Sequence, residues 1–410
     1  MTNRLLSFLD TLVEKRNCQG FSEFRKESMA AYDAFDQNKP EVREAWRFFD
    51  FSVLDSVSDV ARDALEESCL DKRCSDRALC DGVLNFSSDQ QGEQDFVACS
   101  EGQLLGDKVM SVGLPRSVFS YVNSLTFSDL VLLKVEAGED KGFRELPVMI
   151  CSTKGMVVSR IHIVLEKGAK ATVFLPHRQK GSSTELFHNV FLDIDLDEDA
   201  ELQVDVVDAS LQCSQIETVM VRQQRGSRFV LNTLSYATRM SRRDIHVSLL
   251  GENTKTYLNG LAVLSEKQRF YQHADLDHHS KNGQAEQCFK TVLSGTSFCE
   301  YSGLVTIQPK AHGCDSSQEN PNLLLSDQAR VMTRPQLKID ADDVLCGHGS
   351  TVGQLDDAHV LYLQSRGLKK QEAEFLLLQG FVTDIYDNFS EDSDLVEDVS
   401  AITEQLLSYV

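Results

Sequence analysis

The sequence predicts a mainly β fold: a parallel β-helix, or solenoid, flanked by N-terminal and C-terminal α-helical regions. Three observations carry that expectation. Apolar residues follow helical spacing near both ends of the chain, they alternate from about Val131 onward, and the alternating part repeats a strand, a polar turn and a second strand. Segments 162–175, 190–207, 218–234 and 245–261 share this plan, with turns centred near Gly168, Asp199, Gly226 and Gly251, at spacings of 31, 27 and 25 residues. Weaker copies occur in "LLLSDQARVMT" and "LKIDADDVLCG". A unit recurring at this period stacks into a solenoid, because one unit cannot bury its own apolar face. Alternation alone equally suits an antiparallel sandwich or barrel. Asn-Gly, the strongest hairpin dipeptide, occurs at 259–260 and 282–283 but at none of the four unit turns, which favours the β-helix.

Residues 1–130 read as a mostly helical region. Leu5, Leu6, Phe8, Leu9, Leu12 and Val13 follow helical spacing, and so does the stretch from Val53 to Leu70. A polar segment follows from Asp71 to Gln103. Cys69, Cys74 and Cys80, at spacings of five and six, invite a metal, but no histidine is near and the spacing fits no common zinc pattern. Residues 131–353 form the expected β-helix core, and residues 354–410 a C-terminal helical domain. There Asp356 or Asp357 caps a first helix with Val360, Leu361 and Leu363 on its apolar face, and Gly367 stops it. A second helix carries Phe375, Leu376, Leu378, Phe381, Val382 and Ile385, and "LVEDVSAITEQLLSYV" makes a third. These helices read as a small cap with more apolar surface than a solenoid end needs, which suits a partner groove.

Composition narrows the function. At 410 residues, 41% hydrophobic and 25% charged, the chain can bury a real core. No run approaches the roughly 20 apolar residues of a membrane span, and "MTNRLLSFLDTLVEKR" has no signal-peptide core, so a cytoplasmic location is expected. Eleven scattered cysteines without a C-x-x-C pair read as reduced thiols. A formal charge of -22 repels phosphate backbones and anionic lipids, which argues against nucleic acid and membrane and suits a protein partner or a metal ion. No P-loop, G-x-G-x-x-G or G-x-S-x-G pattern occurs, so neither a bound nucleotide nor a catalytic residue is expected.

Three polar stretches carry candidate chemistry. In "YQHADLDHHSKNGQAEQ", His273, Asp275, Asp277 and His279 would share one face of a strand, a credible divalent-metal or acid–base surface set against an ordinary solvated outer face. "HGCDSSQENPNLLLSDQA" places His312 and Cys314 in a polar surface loop. In "DDVLCGHGSTVG", Gly347 and Gly349 allow a sharp turn with positive φ that would leave His348 projecting from the solenoid end. Imidazole and thiolate both suit iron or zinc, but Cys346 and His348 are two ligands, and a partner chain would have to complete a site.

The carboxy-terminal third resembles the SufB/SufD family of iron-sulfur cluster assembly scaffolds in several ordered elements. These are "YSGLVTIQP", Q-x-x-x-N-L-L-L-S, P-x-L-x-I-x-A-D-D-V, C-x-H-G-x-T-V-G, Y-L-x-S-R-G-L and A-x-x-L-x-x-x-G-F. "EAWRFFDF" around Trp46 resembles the family's amino-terminal helical signature. "H-G-S-T-V-G" looks like SufD, because SufB usually shows a glutamate where this chain has Gly349. The resemblance implies a right-handed parallel β-helix and a non-catalytic scaffold of a SufBCD-like complex. It implies pairing with a SufB-like homologue through the β-helix and a SufC-like ABC-type ATPase docked on the C-terminal helices, and it leaves open a homodimer of the isolated chain. Asp356, Phe375 and Phe381 are the residues expected at that dock. His348 matches the family histidine implicated in holding iron of the nascent cluster opposite a partner cysteine, and Cys346 matches a cysteine common in the motif. Two alternatives stand beside it: a SufB-like principal scaffold, and a β-helix enzyme acting on polysaccharide with the His273–His279 face as its site. Against the enzyme stand a single Trp and the absence of an export signal.

Overall fold

The computed structural model describes residues 22–49, 51, 78–81, 83–85, 96–99, 113 and 117–408. The helices expected over Leu5–Val13 and Val53–Leu70, and Cys69 and Cys74, lie outside these described residues. Within the first 130 residues the described helices are α1 (Ser22–Asp33), α2 (Pro40–Ala45) and α3 (Val118–Thr126). That region also contributes the strands β1 (Ala78–Cys80), β2 (Val83–Asn85) and β3 (Phe96–Cys99), which periodicity did not single out.

A parallel solenoid of eight coils follows. Its strands are β4 (Leu130–Val135), β5 (Asp140–Glu145), β6 (Val148–Ile150), β7 (Gly155–Leu165), β8 (Lys170–Gln179), β9 (Leu186–Leu196) and β10 (Glu201–Ala209). They continue as β11 (Ser214–Gln223), β12 (Arg228–Tyr236), β13 (Met240–Leu249), β14 (Lys255–Leu264), β15 (Arg269–His278) and β16 (Gln284–Leu293). The last two coils are β17 (Phe298–Ile307) with β18 (Asp315–Leu324), and β19 (Arg330–Ile339) with β20 (Leu345–Gly353). From β7 to β20 each strand pairs in parallel with the strand two places on, so odd strands build one sheet and even strands the other. Neighbouring segments are therefore not hairpins, and the antiparallel alternative is excluded. The register stacks like on like: Ile163, Ile194, Val221, Val247, Leu276 and Val305 form one interior file. The files of both sheets meet in one continuous core.

The turns between the two sheets stack as well. Gly138, Gly168, Asp199, Gly226, Asn253, Asn282, Gly313 and Asp343 all adopt positive φ, between 56° and 72°. Each amide donates to a carbonyl of the next coil's turn at 2.8–3.1 Å, as in Asp199 N to Arg225 O, except at Asp343 in the last coil, where no coil follows. Gly168, Asp199 and Gly226 thus occupy the expected equivalent positions, but Asn253 takes the place assigned to Gly251. The turn at 250–254 is one residue longer than that at 224–227, which shifts the left-handed position. Gly251 serves a different purpose: a Cβ there would press on the Arg225 backbone of the preceding coil. "LLLSDQARVMT" marks the opposite corner, and the expected loop at His312 and Cys314 is a turn at Gly313 running into β18.

Helices cover both outer faces. On the odd sheet, Val42, Ala45, Trp46, Phe49, Phe119 and Val122 pack on Met156, Phe187, Ile216 and Tyr271. The Arg242 guanidinium lies 3.7 Å above the Trp46 ring and donates to Ala45 O, which pins the "EAWRFF" segment to the solenoid. On the even sheet lie α4 (Asp357–Ser365), α5 (Lys370–Tyr386) and α6 (Val396–Leu407). Asp356 caps α4 by accepting from the Ala358 amide, and Gly367 ends it in a Schellman turn, with Leu368 N bonded to Leu363 O. Leu378, Val382, Ile385, Ile402 and Leu406 pack on Phe174, Val207, Leu234, Leu261 and Val292. Asp398 of α6 receives Tyr236 Oη at 2.7 Å and both Arg178 contacts at 2.8 and 3.0 Å. The C-terminal helices therefore run back along the side of the solenoid. They do not cap its end, contrary to the expectation. No helix among the described residues is long and apolar enough to cross a membrane.

Candidate functional site

The last coil ends in two edges. In the sheet orders β19 and β20 each have a neighbour on one side only, β17 and β18. An open edge is a row of unpaired backbone donors and acceptors ready for another strand. Both edges carry apolar side chains: on β20 Leu345 is 71% and Val352 49% exposed, and on β19 Met332 and Ile339 are exposed.

Cys346 and His348 lie on that edge, within β20, and not in a turn. Gly347 and Gly349 do not take positive φ; the left-handed residue is Asp343, just before the strand. Strand alternation puts Cys346, His348 and Ser350 on one face, in register with the buried Ser316, Gln318 and Asn320 of β18. That is the interior face of the solenoid, which here has no further coil above it. Cys346 is half-buried and packs on the core cluster that contains Cys314. Burial pushes its thiol above the ordinary range, and the nearby Cys314 adds to the effect. The Cys346 sulfur thus rests as a neutral thiol at neutral pH, and holding a metal ion would require it to lose that proton.

His348 is exposed and lines an open depression of about 480 Å³ with Gln318, Asn320, Gly347, Gly349 and Thr351. Its floor is polar. Both side-chain polar atoms of Gln318 lack a hydrogen-bond partner among the described residues. Ser350, Thr333 and Asn320 form a bonded knot beside it, with Thr333 Oγ1 at 2.8 Å from both Asn320 Oδ1 and Ser350 Oγ. A Cβ at Gly347 or Gly349 would meet nothing within 4 Å, so space inside this chain does not demand glycine there. The bare backbone leaves room for a close approach from outside.

The other expected site residues separate. Asp356 is the exposed cap of α4. Phe375 and Phe381 are half-buried against the even sheet, with Lys290 Nζ 5.0 Å above the Phe381 ring, so they hold α5 in place. The apolar side chains left outward are Leu361 (64% exposed) and Tyr362 on α4, Leu376 on α5 and Leu407 at the end of α6. Helical spacing alone did not separate these from the buried Val360 and Leu378.

The His273–His279 face divides into two clusters. His273 is buried under α2, where Arg242 Nη2 donates to its Nδ1 at 3.3 Å and Glu300 lies 3.6 Å from Nε2. A guanidinium on the ring nitrogen opposes a second cation there. Asp277 pairs with His279 at 3.1 Å and accepts from Gln308. His278 points inward, and burial lowers its pKa to about 4. This is a surface of local ion pairs and not a convergent site.

Comparison with known proteins identifies the family of this chain. The family profile described as "SUF system FeS cluster assembly, SufBD core domain" matches residues 148–381, more than half of the chain. An iron-sulfur cluster assembly SufBD family protein of Synechocystis is 28% identical over 290 residues, 66% of this chain and 62% of that protein. The iron-sulfur cluster assembly protein SufD of Escherichia coli is 34% identical over 144 residues, 35% of this chain and 34% of its own length. A SufBD family protein of Mycobacterium leprae is 26% identical over 328 residues, 75% of this chain and 79% of that protein. The matched stretch thus spans less than two thirds of the first two relatives. With a core-domain match that runs from β6 into α5, the chain belongs to the SufBD family of iron-sulfur cluster assembly proteins.

Proposed function

We propose that this chain is a SufD-type, non-catalytic scaffold that pairs through β19 and β20 with a SufB-like homologue, and that iron and sulfide are assembled into a cluster at the shared edge. The observation that carries this reading is the uncovered, apolar last coil with His348 and Cys346 on its exposed inner face. A homologous solenoid supplies what such an edge lacks, a strand to pair with and apolar surface to cover Leu345 and Val352. His348 is the iron ligand from this side, since an imidazole is a metal donor without first losing a thiol proton. Cys346, seated on the core, supports it. Gly349 and the similarity to a protein named SufD favour the SufD assignment over the SufB one.

The SufC-like ATPase docks on α4 and α5, where Leu361, Tyr362 and Leu376 are outward and unused by the solenoid. The test is co-expression with candidate partners. Leu345→Glu with Val352→Glu should abolish capture of the homologue and leave ATPase capture intact, and Leu361→Glu with Leu376→Glu should do the reverse. Full capture of both partners by both folded double variants would refute the assignment of these surfaces.

A further inference from the structure

We propose that Cys80, Asp81 and Cys151 form a binding site for a thiophilic divalent cation of the zinc class, at the opposite end of the solenoid from His348. The site is built by the junction of β1 with the first coil. Cys80 ends β1, which pairs in parallel with β6, and Asp81 turns the chain with φ of 49° toward β2. Asp81 N donates to Met149 O at 3.0 Å, which carries the ladder one residue past the strand and brings the turn against Cys151.

The donor atoms converge. Cys80 Sγ and Cys151 Sγ are 3.0 Å apart, and one oxygen of Asp81 lies within 4.8 Å of both. Asp81 is oriented for this: Oδ1 accepts the amides of Cys151 and Ser152 at 2.8 and 3.1 Å, while Oδ2 is buried with no hydrogen-bond partner among the described residues. A buried carboxylate oxygen left without a donor is unfavourable unless something positive meets it. No other group of three potential metal ligands converges in this way among the described residues.

Two sulfurs and one oxygen select a borderline-soft ion of tetrahedral preference. Metal–sulfur bonds of about 2.3 Å place two thiolates roughly 3.8 Å apart around such an ion, so the sulfurs need to open by less than an ångström, which side-chain rotation supplies. Binding is balanced as follows: the two thiols release two protons to solvent, the thiolates and Asp81 coordinate, and one water fills the fourth position. The ion would fasten the β1–β2 hairpin to the first coil.

The experiment uses the full-length chain, reduced and stripped with chelator under argon, and titrated with Co²⁺. The expected result is a thiolate-to-cobalt charge-transfer absorption that saturates at one equivalent and is displaced by one equivalent of Zn²⁺. Asp81→Asn, which keeps Oδ1 as an acceptor, should weaken binding more than about tenfold, beyond the lower range of changes outside the ligand set. Cys151→Ser should remove the band, and Cys288→Ser, a half-buried cysteine elsewhere in the fold, should leave it unchanged. Cys80 is the more buried thiol, so Cys151→Ser carries the test if Cys80→Ser does not fold. A folded wild-type chain without the band, or a band that survives in Cys151→Ser, overturns the site.

Discussion

Leu378→Ala is the substitution that most directly probes how the C-terminal helices are held on the solenoid. Leu378 is fully buried between α5 and the even sheet, in the cluster with Val207, Leu234 and Leu261. Truncation removes three carbons, a transfer term of about 2.4 kcal/mol at roughly 0.8 kcal/mol per carbon. A cavity term adds to it, reduced because a helix on a sheet can settle more than a closed core can. The expected loss is about 3 kcal/mol. It should appear as loss of the helices and not of the coils, since the solenoid core does not contain Leu378. Urea titration followed by amide exchange resolves the two: amides of α5 and α6 should lose protection while those of β11–β16 keep it. Leu376→Ala, two residues away but outward, should change stability by no more than about 0.5 kcal/mol. Equal losses from both substitutions, or loss of helices and coils together, would refute the lateral docking.

Gly251→Ala should lower stability by about 2 kcal/mol, because the new methyl meets backbone of the preceding coil and neither chain can yield without breaking the ladder; thermal unfolding reads the loss. Glu300, buried beneath α2, has its carboxyl pushed up to about 7, chiefly by burial, against the opposing pull of Arg242 and Arg334 and with Asp244 and Glu44 adding to the rise. The folded state therefore holds a proton that the unfolded state releases near pH 4.3, so this group's contribution is fully present below that value and is lost as pH rises to about 7. Glu300→Gln should flatten that fall, on the order of 3 kcal/mol, in denaturation curves taken from pH 4.5 to 7.5, and an unchanged slope would show that the carboxyl is ionised throughout.

How much of this was legible in the sequence depends on what kind of order each residue obeys. The solenoid was legible because a parallel register forces like residues into files, so Ile163, Ile194, Val221 and Val247 repeat in the chain as they stack in space. Asn253 was missed because an extra turn residue is invisible to spacing, and Gly251 attracted the assignment by its type. Helical period marked an apolar face on α5 but could not tell Leu376 from Phe375, since only the sheet beneath decides which of the two is covered. The same limit made a cap of helices that lie along the side. For Cys346 and His348 the motif named the residues, and the flanking glycines suggested a turn. Parallel pairing with β18 instead extends that stretch into an edge strand. Cys80 and Cys151 are 71 residues apart in the chain, and only β1 pairing with β6 brings them together.

The role proposed for His348 lies at a shared edge and not in the folding of its own chain. The measurement is anaerobic reconstitution with iron and sulfide of the complex containing His348→Ala, read by visible absorbance, with assembly of the complex verified by gel filtration. His348 is exposed, so the variant's stability should stay within about 0.5 kcal/mol of the wild type and the complex should form. Cluster yield should fall sharply, because alanine offers iron no donor, and Cys346→Ser should produce a smaller loss. A normal yield from an intact His348→Ala complex would rule out His348 as the iron ligand of this chain.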